Sequence, residues 1–167
     1  MEQKGFTLLE LVVVIGLLGL MLVMTVPRFR QALMTNELKA STRKIVGLVR
    51  GVRDKAIRDH SAYLLHIEIG AGRFWVTADG SSAEEVTLAK DNGFRLPAEV
   101  RVLDVWLRSR GKLTDGEAVI RFSRKGYVEQ SVIHLGAEEG DRMSLVLTPF
   151  LGEIKTYEGY HEIEPSG

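Results

Sequence analysis

The chain contains no cysteine. Disulfides, thiolate metal sites, a cysteine nucleophile and a lipid-bearing N-terminal cysteine are therefore excluded. The compartment stays open, because a periplasmic protein can do without disulfides. An excess of one charge is also lacking: 22 Lys and Arg stand against 22 Asp and Glu. Before residue 28 lie only Lys4, Glu2 and Glu10, so the remainder is balanced as well, at 21 basic to 20 acidic. Bulk charge thus points to neither nucleic acid nor an acidic substrate as partner. No internal repeat or low-complexity segment is visible.

Marks of an enzyme or a metal centre are missing too. His60, His66, His134 and His161 are scattered, with no pair at metal-ligand spacing. His66 and His134 fall in strand-like segments and read as surface or hydrogen-bonded histidines. Gly70-Ala71-Gly72 lacks the later glycine and following helix of a phosphate loop. Ser81, Ser82 and Ser123 lack the surroundings of a nucleophile elbow. The carboxylates of the tail, Glu158 to Glu164, are not spaced as in a calcium loop. The expectation is no catalytic residue, no metal and no cofactor.

What the chain does have is an apolar run from Phe6 to Val26, broken by the single charge of Glu10 and followed by Pro27. As a helix, its 21 residues would span about 31 Å, close to the hydrocarbon thickness of a bilayer. A cleaved secretory signal is disfavoured, since the run is too long and no A-x-A site follows it. A plain signal anchor leaves Glu10 without a reason. A lone carboxylate in an apolar segment costs a few kcal/mol, and its sequence neighbours one turn away are Phe6, Thr7, Val13 and Val14. Charge counting does not choose the orientation, because Arg28 and Arg30 follow the run while only Lys4 precedes it.

The string Lys4-Gly5-Phe6-Thr7-Leu8-Leu9-Glu10, the apolar helix behind it and Pro27 resemble the prepilin signature of type IV pilins and type II secretion pseudopilins. The resemblance implies a leader, residues 1–5, removed by a membrane protease that cuts after Gly5 on the cytoplasmic side. It implies N-methylation of the new terminus, Phe6, and retention of 6–26 as a transmembrane and assembly helix. Glu10 would be the signature glutamate. Its partner would be the Phe6 amine of a staggered neighbouring subunit, a pair that sets registry.

Residues 27–60 continue a helical pattern, with Pro27 either kinking the helix or starting a new one. Met34, Leu38, Ser41, Ile45, Leu48, Val49, Val52 and Ala56 form a stripe fit to pack on a sheet. A helix from Phe6 to about Asp59 would be roughly 80 Å long. Opposite lie Phe29, Leu33, Ala40, Gly47 and Gly51. A glycine inside a helix costs about 1 kcal/mol, so Gly47 and Gly51 mark either close packing between helices of neighbouring subunits or simple tolerance at exposed positions.

From residue 61 to 167 the period becomes two. Leu65, Ile67 and Ile69 alternate with Leu64, His66 and Glu68, and Gly70 to Gly72 lead into Arg73–Thr77, predicting a hairpin. Further strands are predicted over Val100–Leu107, Ala118–Phe122, Val128–Leu135, Met143–Thr148 and Glu153–Tyr157, and Ser81–Asn92 is expected to be a loop with at most a short strand. Arg108, Arg110 and Lys112, and Arg121, Arg124 and Lys125, read as a solvated basic surface, with DNA or an acidic neighbour as the lesser reading.

The expected fold class is α+β: a pilin-like long N-terminal helix packed on an antiparallel β-rich domain. The domain is similar to the H-type minor pseudopilins and the FimT-like minor pilins. This resemblance implies a non-enzymatic subunit near the tip of a periplasmic pseudopilus, anchored in the inner membrane through 6–26. Its partners would be the other minor pseudopilins, the major pseudopilin, the prepilin peptidase/methyltransferase and the assembly platform. The alternative is a minor pilin (FimT/FimU-like) of a type IV pilus.

Overall fold

The computed structural model describes residues 8–137, 140–149 and 153–162, without the side chains of 22–36. The chain divides into two units, Met1–Leu33 and Met34–Gly167. Helix α1 runs over Leu8–Arg58. The helix passes through Pro27 without interruption, so no new helix starts there. The unit boundary also lies well before residue 60: the second half of α1 belongs to the β-rich unit because its apolar stripe is part of that unit's core.

Within the second unit the expected stripe holds. Leu38, Ser41, Ile45, Val49, Val52 and Ala56 are buried, and Leu48 is half-buried. Met34 lies outside the described side chains. Thr42 is buried beside the stripe, where its hydroxyl donates to the Leu38 carbonyl at 2.8 Å. That bond lets a polar side chain occupy an apolar face. The helix closes with Ser61 N–H donating to Ala56 O (3.2 Å) while His60 takes φ 53°. This is a left-handed cap of the kind usually given to glycine.

Among the described residues nine strands follow, in two antiparallel sheets. The first has the order β3-β2-β1-β6, from β1 (Tyr63–Glu68), β2 (Arg73–Ala78), β3 (Phe94–Arg95) and β6 (Glu117–Phe122). The second has the order β5-β4-β7-β8-β9, from β4 (Val100–Leu107), β5 (Gly111–Leu113), β7 (Ser131–Ala137), β8 (Arg142–Leu147) and β9 (Ile154–Glu158). One core joins the buried face of α1 to Leu65 and Ile67 of the first sheet and Ile133, Leu135, Leu145 and Leu147 of the second.

The predicted hairpin and the strands over 100–107, 118–122, 143–148 and 153–157 appear within one residue at each described end. The strand expected from Val128 begins at Ser131 instead; Val128 only bridges Phe122. The largest correction is at Ser81–Asn92, where helix α2 spans Ala83–Asp91. Ser82 and Glu85 form a capping box: Ser82 Oγ accepts from Glu85 N–H at 3.3 Å, and Glu85 Oε2 accepts from Ser82 N–H at 2.8 Å. The S-x-x-E spacing carried that signal, but a segment without a buried residue has no hydrophobic period to reveal it. α2 lies over the outer face of the first sheet, where Lys90 sits 5.0 Å from the Trp75 ring centre and pairs with Glu68 at 2.8 Å.

Strand β4 contains an irregularity that moves chemistry. Val100 and Val102 face the core, yet so do Val105 and Leu107, because the register with β7 shifts between Val102 and Asp104. The extra residue reverses the alternation. Asp104 therefore leaves the core phase and stands opposite His134 on the outer face. Gly136 completes the device, for a Cβ there would lie 2.9 Å from the Leu103 side chain at the shift.

Candidate assembly site

Among the described residues of the first unit, the apolar helix has no covered side. From Leu8 to Met21 every described side chain is exposed, among them Leu9 at 73%, Leu20 at 66% and Met21 at 68%. A helix apolar all round is suited to lipid or to a bundle of other helices, not to water. Glu10 is exposed in its first turn. Gly5 and Phe6 lie outside the described residues, as do the side chains of Pro27, Phe29 and Leu33. Among the described residues no helix is long and apolar enough to cross a membrane. The expected span 6–26 reaches beyond the described residues or side chains at both ends.

On the second unit Ala40, Gly47 and Gly51 are exposed, as expected of the face opposite the core stripe. A Cβ added at Gly47 or Gly51 would meet nothing within 4 Å. Neither glycine is required by a contact within its own fold.

Two histidine networks needed the tertiary structure to be seen. His66 is buried, with Nδ1 2.7 Å from Glu117 Oε1 and Nε2 2.9 Å from Thr77 Oγ1, and its ring stacks on Trp75. His134 is also buried, with Nδ1 2.6 Å from Asp104 Oδ1 and Nε2 3.0 Å from the His161 carbonyl. Tyr160 stacks on His134 and donates its hydroxyl to Asp104 Oδ2 at 2.9 Å, while Lys112 Nζ donates to the Tyr160 oxygen at 2.6 Å. Burial pushes the Tyr160 hydroxyl up, and the bond to Tyr160 together with the Asp104 charge raises the Lys112 ammonium. Ser144 completes the clasp: its Oγ donates to Gly159 O and accepts from His161 N–H, both at 2.8 Å.

This clasp pins the C-terminal segment across the second sheet. Both ring nitrogens of His134 are engaged within the fold, one with the Asp104 carboxylate and the other with the His161 carbonyl. No group of three or more potential ligands is placed to hold a metal among the described residues. The basic clusters divide. Lys112 joins the clasp, Arg121 bonds Asp79 through Nε and Nη2 at 3.0 and 2.8 Å, and Arg108, Arg110, Arg124 and Lys125 are exposed.

A prokaryotic N-terminal methylation motif matches residues 1–26. That motif and the fold together resemble those of type IV pilin-like proteins. It is similar to the type II secretion system protein H of Pseudomonas aeruginosa, 28% identical over 128 residues, which cover 77% of this chain and 69% of that protein. An alignment of that length necessarily enters the β-rich unit. Two structures of the minor pseudopilin EpsH from the type 2 secretion system of Vibrio cholerae share the fold. One matches with TM-score 0.52 at 10% identity, covering 73% of this chain and 97% of EpsH. The other has TM-score 0.55 at 12% identity, covering 76% and 98%. The expected α+β, pilin-like fold thus agrees with the two solved structures, and the H-type reading with them and with the Pseudomonas aeruginosa relative.

Proposed function

We propose that this chain is a minor pseudopilin of a type II secretion system, a structural, non-catalytic subunit at or near the tip of a periplasmic pseudopilus. The observation that carries the reading is the combination of a prepilin motif on an all-round apolar helix with an H-type pseudopilin domain. The peptidase cuts after Gly5, Phe6 is methylated, and residues 6–26 hold the protein in the inner membrane with the β-rich domain in the periplasm. In the filament the new amine of one subunit pairs with Glu10 of another. The bare face of Gly47 and Gly51 lets a neighbouring helix approach closely. Its partners are the major pseudopilin, the other minor pseudopilins and the assembly platform.

Intact-mass measurement of the membrane-extracted protein tests the first step. The expected species lacks Met1–Gly5 and carries one added methyl group; a full-length terminus in cells with active prepilin peptidase would sink the reading. Deletion tests the system to which it belongs. Loss of exoprotein secretion is expected, and normal secretion with lost twitching would transfer the protein to a type IV pilus.

A further inference from the structure

Strand β9 ends the second sheet with an open edge, and the phase of that edge can be read from two bonds. Gly159 N–H donates to Arg142 O at 2.8 Å, and Glu153 O accepts from Thr148 N–H at 3.2 Å. In an antiparallel ladder the residues that bond the partner strand alternate with residues whose peptide groups point away. Positions 153, 155, 157 and 159 therefore face β8. Ile154, Thr156 and Glu158 turn both N–H and C=O to the open edge.

The same three residues stand opposite Leu147, Leu145 and Met143, which face the core. Their side chains thus share the sheet face turned toward α1 and line a groove of about 680 Å³ between β9 and the helix. The helix wall of that groove carries Lys39, Arg43 and Arg50, with Val46 between them. Lys39 reaches Glu158 at 3.3 Å, whereas Arg43 and Arg50 form no ion pair among the described residues. Other edges are blunted by different means: β3 and β5 have two and three residues, and beyond β6 the chain turns back so that Val128 bridges Phe122. A long open edge normally invites pairing unless it is covered or blocked.

We propose that β9 and the basic face of α1 form an acceptor for an extended acidic segment of another protein, which adds as a sixth strand. The main-chain groups of Ile154, Thr156 and Glu158 bond the incoming strand. Every second side chain of that strand then points at α1, where carboxylates meet Arg43 and Arg50 and apolar atoms meet Val46 and Ile154. A nucleic acid fits less well, because half of the edge's exposed groups are carbonyl oxygens that repel phosphate. The inference stands on the β-rich unit and goes beyond the filament role of the N-terminal helix.

The test uses the full chain in non-ionic detergent and a labelled peptide alternating threonine and glutamate, followed by fluorescence anisotropy. Saturable binding is expected. Methylating every peptide nitrogen should weaken it by about tenfold or more, the equivalent of losing one or two hydrogen bonds. T156P should weaken it similarly, because that N–H faces the edge and the β8–β9 ladder survives. Arg43→Glu with Arg50→Glu should lose the glutamate peptide and gain one carrying lysine in its place. Absence of binding, or binding indifferent to both N-methylation and the charge reversal, would overturn the proposal. So would competition by a DNA duplex that binds T156P as well as the parent. If T156P fails to fold by circular dichroism, the N-methylated peptide decides alone.

Discussion

At the scale of single residues, the structure shows how polar side chains are kept inside a β-rich unit. Glu68 is an example whose energetics can be measured. The hydrogen bond from Lys90 holds its carboxyl below the ordinary value of 4.5, against the opposing effect of burial. A depressed folded-state value means stability that is present above about pH 4.5 and lost as pH falls through the depressed value. Replacing the carboxylate while leaving Lys90 on Trp75 isolates that contribution. Glu68→Gln should lower the unfolding free energy by about 0.5 kcal/mol at neutral pH, the range of a partly exposed pair. The difference should vanish in acid, where the parent carries a neutral carboxyl. Urea unfolding at both pH values checks it, and an equal loss at both would assign the effect to shape and not charge.

At the scale of elements, two features decide how legible this chain is. The hairpin of β1 and β2 could be read because one face of each strand is apolar and a glycine turn separates them. Helix α2 could not, since it buries no residue and is held by its capping box and by Lys90. Its stability is accordingly local. Ser82→Ala should cost about 1 kcal/mol of α2 opening and raise amide exchange in residues 86–91 about fivefold, with little change in global unfolding. Exchange unchanged there would mean that the cap contributes nothing. Strand β4 teaches the complementary lesson. Val100-Arg101-Val102-Leu103-Asp104-Val105-Trp106-Leu107 obeys no single alternation, and only pairing with β7 shows that an irregularity at Leu103 reconciles the two phases.

At the scale of the whole molecule, the prepilin motif and the likeness to H-type pseudopilins support the proposed filament role of the N-terminal helix. Glu10 is the residue on which that assembly is most directly tested. Glu10→Leu should still be cleaved after Gly5, because the cut lies upstream. Its recovery in sheared or cross-linked pseudopili should fall by about tenfold or more, because the pair proposed between Glu10 and the amine of a neighbouring subunit loses one member. Incorporation equal to that of the parent would remove the registry role.

Sequence alone was enough for the apolar helix, the motif around Gly5, Phe6 and Glu10, and the change to strand period after residue 61. Each is a local pattern whose cause lies within a few residues: span length, a short recognition string, side-chain alternation. Tertiary structure alone decided the clasp of Asp104, His134 and Tyr160, because those side chains meet across strands and a register shift. It alone also decided which peptide groups of β9 are open. That depends on the pairing of β9 with β8, a fact of register that no run of five residues carries in itself.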